Sequence, residues 1–205
     1  IPTGGTLLSA GDNVVVIGCG SIADAYVNVM KTYDNVEVRG YSDIDRERAT
    51  RFAAEHGGVA YDSLDKALAD PEVDIIANLT IHKAHPEVVT ACLEAGKHVH
   101  SEKPLAMSYA EAKRLVDLAE ARGIRLSCAP INYMGEAQQT ALNLIRDGKA
   151  GSIRAVYAEA NHGRIETWHL NPAPFYEVGP LWDVGVYPLT LATAFFGPAR
   201  RVRGF

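Results

Sequence analysis

Hydrophobic residues alternate between two rhythms along the first two thirds of the chain. Val14-Val15-Val16-Ile17 is a continuous apolar run closed by Gly18, the signature of a strand buried on both faces. Ile22, Tyr26, Met30 and Tyr33 then recur at helical spacing. A β-rich segment over 36–41 predicts a second strand. The helix expected over 45–56 places Ala49, Phe52 and Ala53 on one face and stops at Gly57-Gly58. A short third strand over 59–61 is followed by Asp62-Ser63, which can cap a helix over 64–69. Positions 73–80 form a fourth strand, 86–95 a helix stopped by Gly96, and 97–101 a fifth strand. Ser108 and Glu111 make a capping-box pair for a helix ending at Gly123, and a sixth strand covers 124–129. This alternation predicts an α/β domain over residues 1–130, a doubly wound parallel sheet with helices on both faces.

The rhythm changes after Pro130. A helix over 136–146 ends at Gly148, and a longer strand is expected over 152–160. Residues 162–180, from His162 to Pro180, read as a loop rich in proline, glycine and aromatics. A helix over 186–196 leads into a terminal strand that reaches Phe205. Residues 131–205 thus read as the start of a second α+β domain with an open sheet, and the chain reads as truncated, opening on Ile1 and closing inside a strand.

Composition narrows the classes. The net charge of −5 leaves no basic footprint for nucleic acid. No apolar run approaches the roughly 18 residues of a membrane span. The three cysteines, Cys19, Cys92 and Cys128, are scattered without metal-site spacing, which favours a reducing, cytoplasmic setting.

Gly18-Cys19-Gly20-Ser21-Ile22-Ala23 is G-x-G-x-x-A between a buried strand and a helix. The first glycine permits the tight turn, the second lets backbone approach a pyrophosphate, and the small third residue lets helix and sheet pack closely. The helix N-terminus, with Ser21 and Ile22, then faces the phosphates. Asp43, at the end of the second strand, suits the adenosine ribose and disfavours a 2′-phosphate. The Rossmann cofactor is therefore expected to be NAD. NADP stays open because Arg46 and Arg48 follow closely. Asn78 and Thr80, at the end of the fourth strand, are further candidates for lining the cofactor.

The segment EAGKHVHSEKPLA, residues 94–106, places Glu102, Lys103 and Pro104 at the end of the fifth strand, where ligands sit in doubly wound sheets. Lys103 is a cation suited to polarising a substrate oxygen. This segment resembles the EKP signature of the Gfo/Idh/MocA oxidoreductases, named for glucose–fructose oxidoreductase and inositol dehydrogenase. The N-terminal nucleotide motif and His85 fit the same resemblance. GPLWDVGVYPLTLATAFFG, residues 179–197, is similar to the family's second signature, D-x-G-x-H before a helix.

The resemblance implies hydride transfer between a nicotinamide cofactor and a hydroxyl or carbonyl carbon of a sugar, polyol or related compound. It implies catalytic roles for Lys103, Asp183 and Tyr187, and cofactor contacts from Glu102, Lys103 and His85. Tyr187 stands where many members carry histidine, as in some branches. A tyrosine is a slow proton shuttle at neutral pH, and a lysine cation nearby makes its phenolate more accessible. Tyr187 is thus expected as general acid/base, Lys103 as its tuner and substrate clamp, and Asp183 in support. If one helix includes both Asp183 and Tyr187, they share a face. The alternative is that Asp183 is only the helix N-cap.

The loop ETWHLNPAPFYEVGP, residues 166–180, resembles one branch of the family and offers Trp168, His169, Asn171 and Tyr176 as substrate contacts. Asn132 is a weaker candidate. His98 with His100, and His82 with His85, invite a metal reading, but neither pair has a third ligand at known spacing, and none is expected. In the family the second domain's sheet often makes a homo-oligomer interface. Two alternatives to the dehydrogenase remain open: an NAD-dependent glycosidase of the same fold, and a non-catalytic dinucleotide-binding protein or fragment.

Overall fold

The computed structural model describes residues 12–161, 163–169 and 171–204. They divide into two compact units, Ile1–Cys128 and Ala129–Phe205. The first unit contains β1 (Asp12–Ile17), α1 (Ala23–Met30), β2 (Val36–Ser42), α2 (Arg46–His56), β3 (Val59–Ala60), α3 (Leu64–Ala69), β4 (Ile75–Asn78), α4 (His85–Glu94), β5 (His98–Ser101), α5 (Tyr109–Arg122) and β6 (Leu126–Cys128). Every helix and strand expected there forms, within a few residues of its expected ends.

The sheet order is β3-β2-β1-β4-β5-β6 with all pairings parallel. The order reverses between β1 and β4, which makes that crevice the topological switch point of a doubly wound sheet. Register fixes what emerges there. Ile17 pairs with Ser42 and Asn78, Asn78 with Ser101, and Ser101 with Cys128. Gly18, Asp43, Leu79 and Glu102 therefore all leave the sheet at one edge.

Strand residues point alternately to the two faces. Val14 and Val16 pack with Ala23 and Val27 of α1, Tyr41, and Ala49 of α2. Val15 and Ile17 pack on the other face with Val89, Cys92 and Leu93 of α4 and Leu115 and Ala119 of α5. Burying each of the valine, isoleucine and leucine side chains is worth about 1.5–3 kcal/mol. The helix ends follow the expected chemistry. Asp45, Ser63 and Ser108 each accept a backbone N–H at an N-cap, and Gly123 closes α5 in the left-handed region.

The second unit contains 3₁₀ turns at Asn132–Met134 and Ile165–Thr167 and helices α6 (Glu136–Arg146), α7 (Ala173–Val178), α8 (Pro180–Asp183) and α9 (Val186–Phe196). It departs from the sequence reading in two places. The strand expected over 152–160 does not form, and every residue of that segment is exposed. A strand is held by ladder hydrogen bonds, and this segment has no ladder partner among the described residues. Residues 202–204 are likewise without strand pairing, and Phe205 lies outside the described residues. The expected loop over 162–180 contains a 3₁₀ turn and α7, and α8 begins at its last residue; His162 lies outside the described residues. Prolines in their first turns start α7 and α8, since proline has no N–H to leave unpaired there. Among the described residues no helix is long and apolar enough to cross a membrane.

Candidate cofactor and active site

At the switch point, Gly18 leaves β1 with φ +93°, and a Cβ there would lie 2.7 Å from the Leu79 carbonyl oxygen. Both facts demand glycine. Gly20 is different: it is exposed, and a Cβ there would meet nothing within 4 Å. The space over its backbone is open to an approaching group. Ala23 is fully buried where α1 meets the sheet. No side chain caps α1, and Ser21 and Ile22 at its mouth are exposed. An open glycine backbone at an uncapped helix N-terminus fits a diphosphate.

Asp43 braces this loop from beneath. Its Oδ2 accepts the Cys19 N–H at 2.8 Å and its Oδ1 accepts the Asp45 N–H at 2.8 Å. The side chain is only 5% exposed. The carboxylate thus positions the loop through two backbone N–H groups. Both nearby arginines are answered by acids. Arg48 lies 3.4 Å from Asp43 and 3.5 Å from Asp45, and Arg46 pairs with Asp62. Burial, and then the Asp43 charge, push the Cys19 thiol up to about 12, so it stays a protonated spacer in the loop.

The ends of β4 and β5 are tied together. Asn78 is fully buried; its amide donates to Ser101 Oγ at 3.1 Å, and its Oδ1 accepts from Thr80 Oγ1 at 2.7 Å. Asn78 therefore shapes the turn carrying Thr80. His85 is 1% exposed, with Nδ1 2.7 Å from the Pro104 carbonyl and Nε2 2.9 Å from the Thr80 carbonyl. It too acts on backbone, linking the Thr80 turn to the Lys103-Pro104 turn, where a cofactor contact was expected. Lys103 is half-buried at the edge where Gly18 also emerges, and its N–H donates to Glu102 Oε2 at 3.0 Å. Glu102 Oε1 accepts from the Tyr26 hydroxyl at 2.6 Å. Both Glu102 oxygens are thus engaged within the protein.

The histidine pairs considered for metal are also tied into the fold. His98 Nδ1 accepts the Arg125 N–H at 3.0 Å, and His100 Nδ1 lies 2.8 Å from Ser127 Oγ. Among the described residues, the group whose donor atoms converge is Asp24, Glu55 and His56, with Asp24 and Glu55 exposed. His56 Nε2 sits 2.9 Å from Asp24 Oδ1. Sequence reasoning did not single out this trio, because its members come from two helices.

In the second unit, Asp183 ends α8 and is 6% exposed, while Tyr187 lies in the first turn of α9 and is 39% exposed. They do not share one helix. The chain breaks at Val184-Gly185, where a Cβ on Gly185 would lie 2.7 Å from the Leu181 carbonyl oxygen. Gly185, not Asp183, is the N-cap of α9. Asn132 donates to the Tyr187 carbonyl at 3.4 Å. Trp168 is exposed and packs edge-on against His169 and Phe175. His169 Nδ1 lies within hydrogen-bonding distance of the Asn171 backbone. The Tyr176 hydroxyl donates to the Glu166 carboxylate, which holds that carboxylate below its ordinary range. Trp168, His169 and Asn171 are thus tied to one another ahead of α7, Tyr176 lies within α7, and Trp168 and Tyr176 are exposed.

Comparison with known proteins decides the ancestry. A family model described as "Oxidoreductase family, NAD-binding Rossmann fold" matches residues 13–129, more than half of the chain. The chain belongs to the Gfo/Idh/MocA oxidoreductase family. A model of the Gfo/Idh/MocA C-terminal domain also matches residues 138–205. Among relatives, dTDP-3,4-didehydro-2,6-dideoxy-alpha-D-glucose 3-reductase of Streptomyces antibioticus is 30% identical over 92% of this chain and 58% of its own length. Trans-1,2-dihydrobenzene-1,2-diol dehydrogenase of Oryctolagus cuniculus is 32% identical over 89% of this chain and 56% of its own. The crystal structure of KijD10, a 3-ketoreductase from Actinomadura kijaniata, in complex with NADP, superposes with a TM-score of 0.72 at 26% identity, covering 91% of this chain and 56% of that one. The chain thus spans little more than half the length of these Gfo/Idh/MocA relatives.

Proposed function

We propose that this chain carries the dinucleotide site of an oxidoreductase that moves a hydride between NAD and a hydroxyl or carbonyl carbon of a sugar, a sugar nucleotide or a related polyol. One observation carries the reading. The open Gly20 backbone and the Lys103 turn emerge from the same edge of the sheet, at its switch point. The printed names of the relatives, a dTDP-sugar 3-reductase and a diol dehydrogenase, support the substrate class. When bound, the nicotinamide supplies or takes the hydride.

The chain's own groups would do the rest. The backbone of residues 20–23 and the α1 N-terminus hold the diphosphate. The Lys103 ammonium polarises the reacting oxygen, and Tyr187 exchanges its proton. Asp183 supports that chemistry, and Trp168, His169, Asn171 and Tyr176 offer stacking faces and polar atoms to a sugar. NAD is preferred over NADP because Arg46 and Arg48 are already paired with acids, which weakens their pull on a 2′-phosphate. A cytoplasmic setting and a homo-oligomer built through the C-terminal domain belong to the same proposal.

The test is a titration of the chain with NADH and with NADPH, followed by nicotinamide fluorescence and repeated for Asp43→Ala. Binding of NADH tighter than NADPH is expected. Because Asp43 braces the loop from within, Asp43→Ala should weaken both cofactors by about ten-fold or more, through loss of buried charge-assisted hydrogen bonds. A loss confined to NADH would return Asp43 to ribose recognition. A folded chain that binds neither cofactor would end the oxidoreductase proposal.

A further inference from the structure

A second polar assembly lies beneath the Lys103 turn. It joins Tyr26 of α1, His100 of β5, Ser127 of β6 and Glu102. Tyr26 and Ser127 belong to no motif, and His100 lies two residues before Glu102 of the EKP segment. With a neutral His100, the four contacts can all run in one direction, toward Glu102. The exposed Ser127 hydroxyl donates to His100 Nδ1 at 2.8 Å, and His100 Nε2–H faces the Tyr26 oxygen at 3.4 Å. The Tyr26 hydroxyl donates to Glu102 Oε1 at 2.6 Å, and the Lys103 N–H donates to Glu102 Oε2 at 3.0 Å.

The Tyr26 and His100 rings also pack against each other, with centroids 5.8 Å apart. A neutral His100 fits this arrangement. Its burial holds it below the ordinary histidine range, although the Glu102 charge pulls the other way. The short bond from Tyr26 to a carboxylate is of the strong, charge-assisted kind, and a chain of bonds running in one direction polarises each member.

We infer that Tyr26 is a positioning residue for Lys103, acting through Glu102. Tyr26 stands on the same helix whose N-terminus opens at Gly20, with its hydroxyl on the carboxylate that holds the Lys103 amide. The phosphate loop and the lysine turn are thereby fixed to each other across the switch point. Glu102 serves as the clamp between them and not as a ligand contact. The catalytic meaning of this clamp rests on the function proposed above; the positioning itself does not.

The experiment is residue-resolved amide hydrogen exchange on the chain and on Tyr26→Phe, Glu102→Gln and Tyr33→Phe, with thermal melting of each. Tyr26→Phe removes one hydroxyl. Glu102→Gln replaces one acceptor oxygen with a donor. Both should speed exchange of the Lys103 amide by about ten-fold, the worth of one such hydrogen bond, while the amides of β1 and β4 stay unchanged. Tyr33→Phe, on an exposed tyrosine beyond α1, should change nothing. An unchanged Lys103 amide in Tyr26→Phe, or a uniform acceleration of all amides, would overturn the inference.

NADH titration of the same proteins separates the two readings. If the unsubstituted chain binds NADH, Tyr26→Phe should alter the emission of bound nicotinamide. Failure of the unsubstituted chain to bind NADH would remove the proposed function and leave the clamp to stand or fall on the exchange data.

Discussion

The two units use apolar residues in opposite ways. In the first, the inner strands β1 and β4 are covered on both faces, and Val15, Val16, Ile76, Val89, Cys92, Leu93 and Leu115 are all fully buried. In the second, Leu142, Ile165 and Val178 are the apolar residues that reach burial among those described. Helix α9 is composed mainly of valine, leucine, alanine and phenylalanine, yet none of its residues is buried. An apolar pattern thus gives a core only where a second layer meets it. The helices of the second unit are instead set by local signals: prolines in the first turns of α7 and α8, and glycines at the ends of α7 and α9.

Four substitutions probe this contrast, from the largest effect to the smallest. Leu115→Ala, in the core between α5 and the sheet, should cost about 2–5 kcal/mol in denaturant unfolding. A cost under about 1 kcal/mol would mean that the first unit's core is far looser than its burial implies. Gly18→Ala should follow at about 1–3 kcal/mol or more, because its φ is positive and a Cβ meets the Leu79 backbone. It should also abolish NADH binding, measured by fluorescence.

The third effect is a pH dependence. His100 is held below its ordinary value in the folded state, so an unfolded chain takes up that proton first. Its contribution to stability is whole above the unfolded value of about 6.5 and is lost as pH falls through the folded value. Melting temperatures measured between pH 7.5 and 5 should fall more steeply for the native chain than for His100→Gln. Equal slopes would remove His100 as the titrating group. The smallest effect is expected for Leu189→Ala on α9, at 56% exposure, within about 0.5 kcal/mol in the same denaturant assay. A large loss there would show that α9 is covered in solution.

Much of the first unit was legible in the sequence, because its signals are local and repeated. Val14 to Ile17 had to be a buried strand, Gly18 had to turn, and Ser108 had to cap a helix. The second unit was less so. The strand expected over 152–160 depended on partners that the local pattern does not name, and α7 and α8 were hidden in a stretch whose prolines look like loop markers. Within the site, several of the expected residues also serve the fold itself. Asn78, His85, Glu102 and Asp43 do cluster at the strand ends, yet each is turned to backbone or to another side chain. Tyr26 was legible only as a periodic helix position and His100 only as half of a histidine pair, and nothing in the sequence linked either to Glu102.

The division has a physical reason. Periodicity, glycine placement and capping residues act through neighbours a few positions away, so the sequence by itself determined the strand and helix alternation, the phosphate loop and the family signature at Lys103. Whether a polar side chain faces a ligand or braces the fold depends on hydrogen-bond partners far along the chain. Tyr26 reaches Glu102 across 76 residues and Cys19 reaches Asp43 across 24, and only the tertiary structure brings such donors and acceptors within 3 Å.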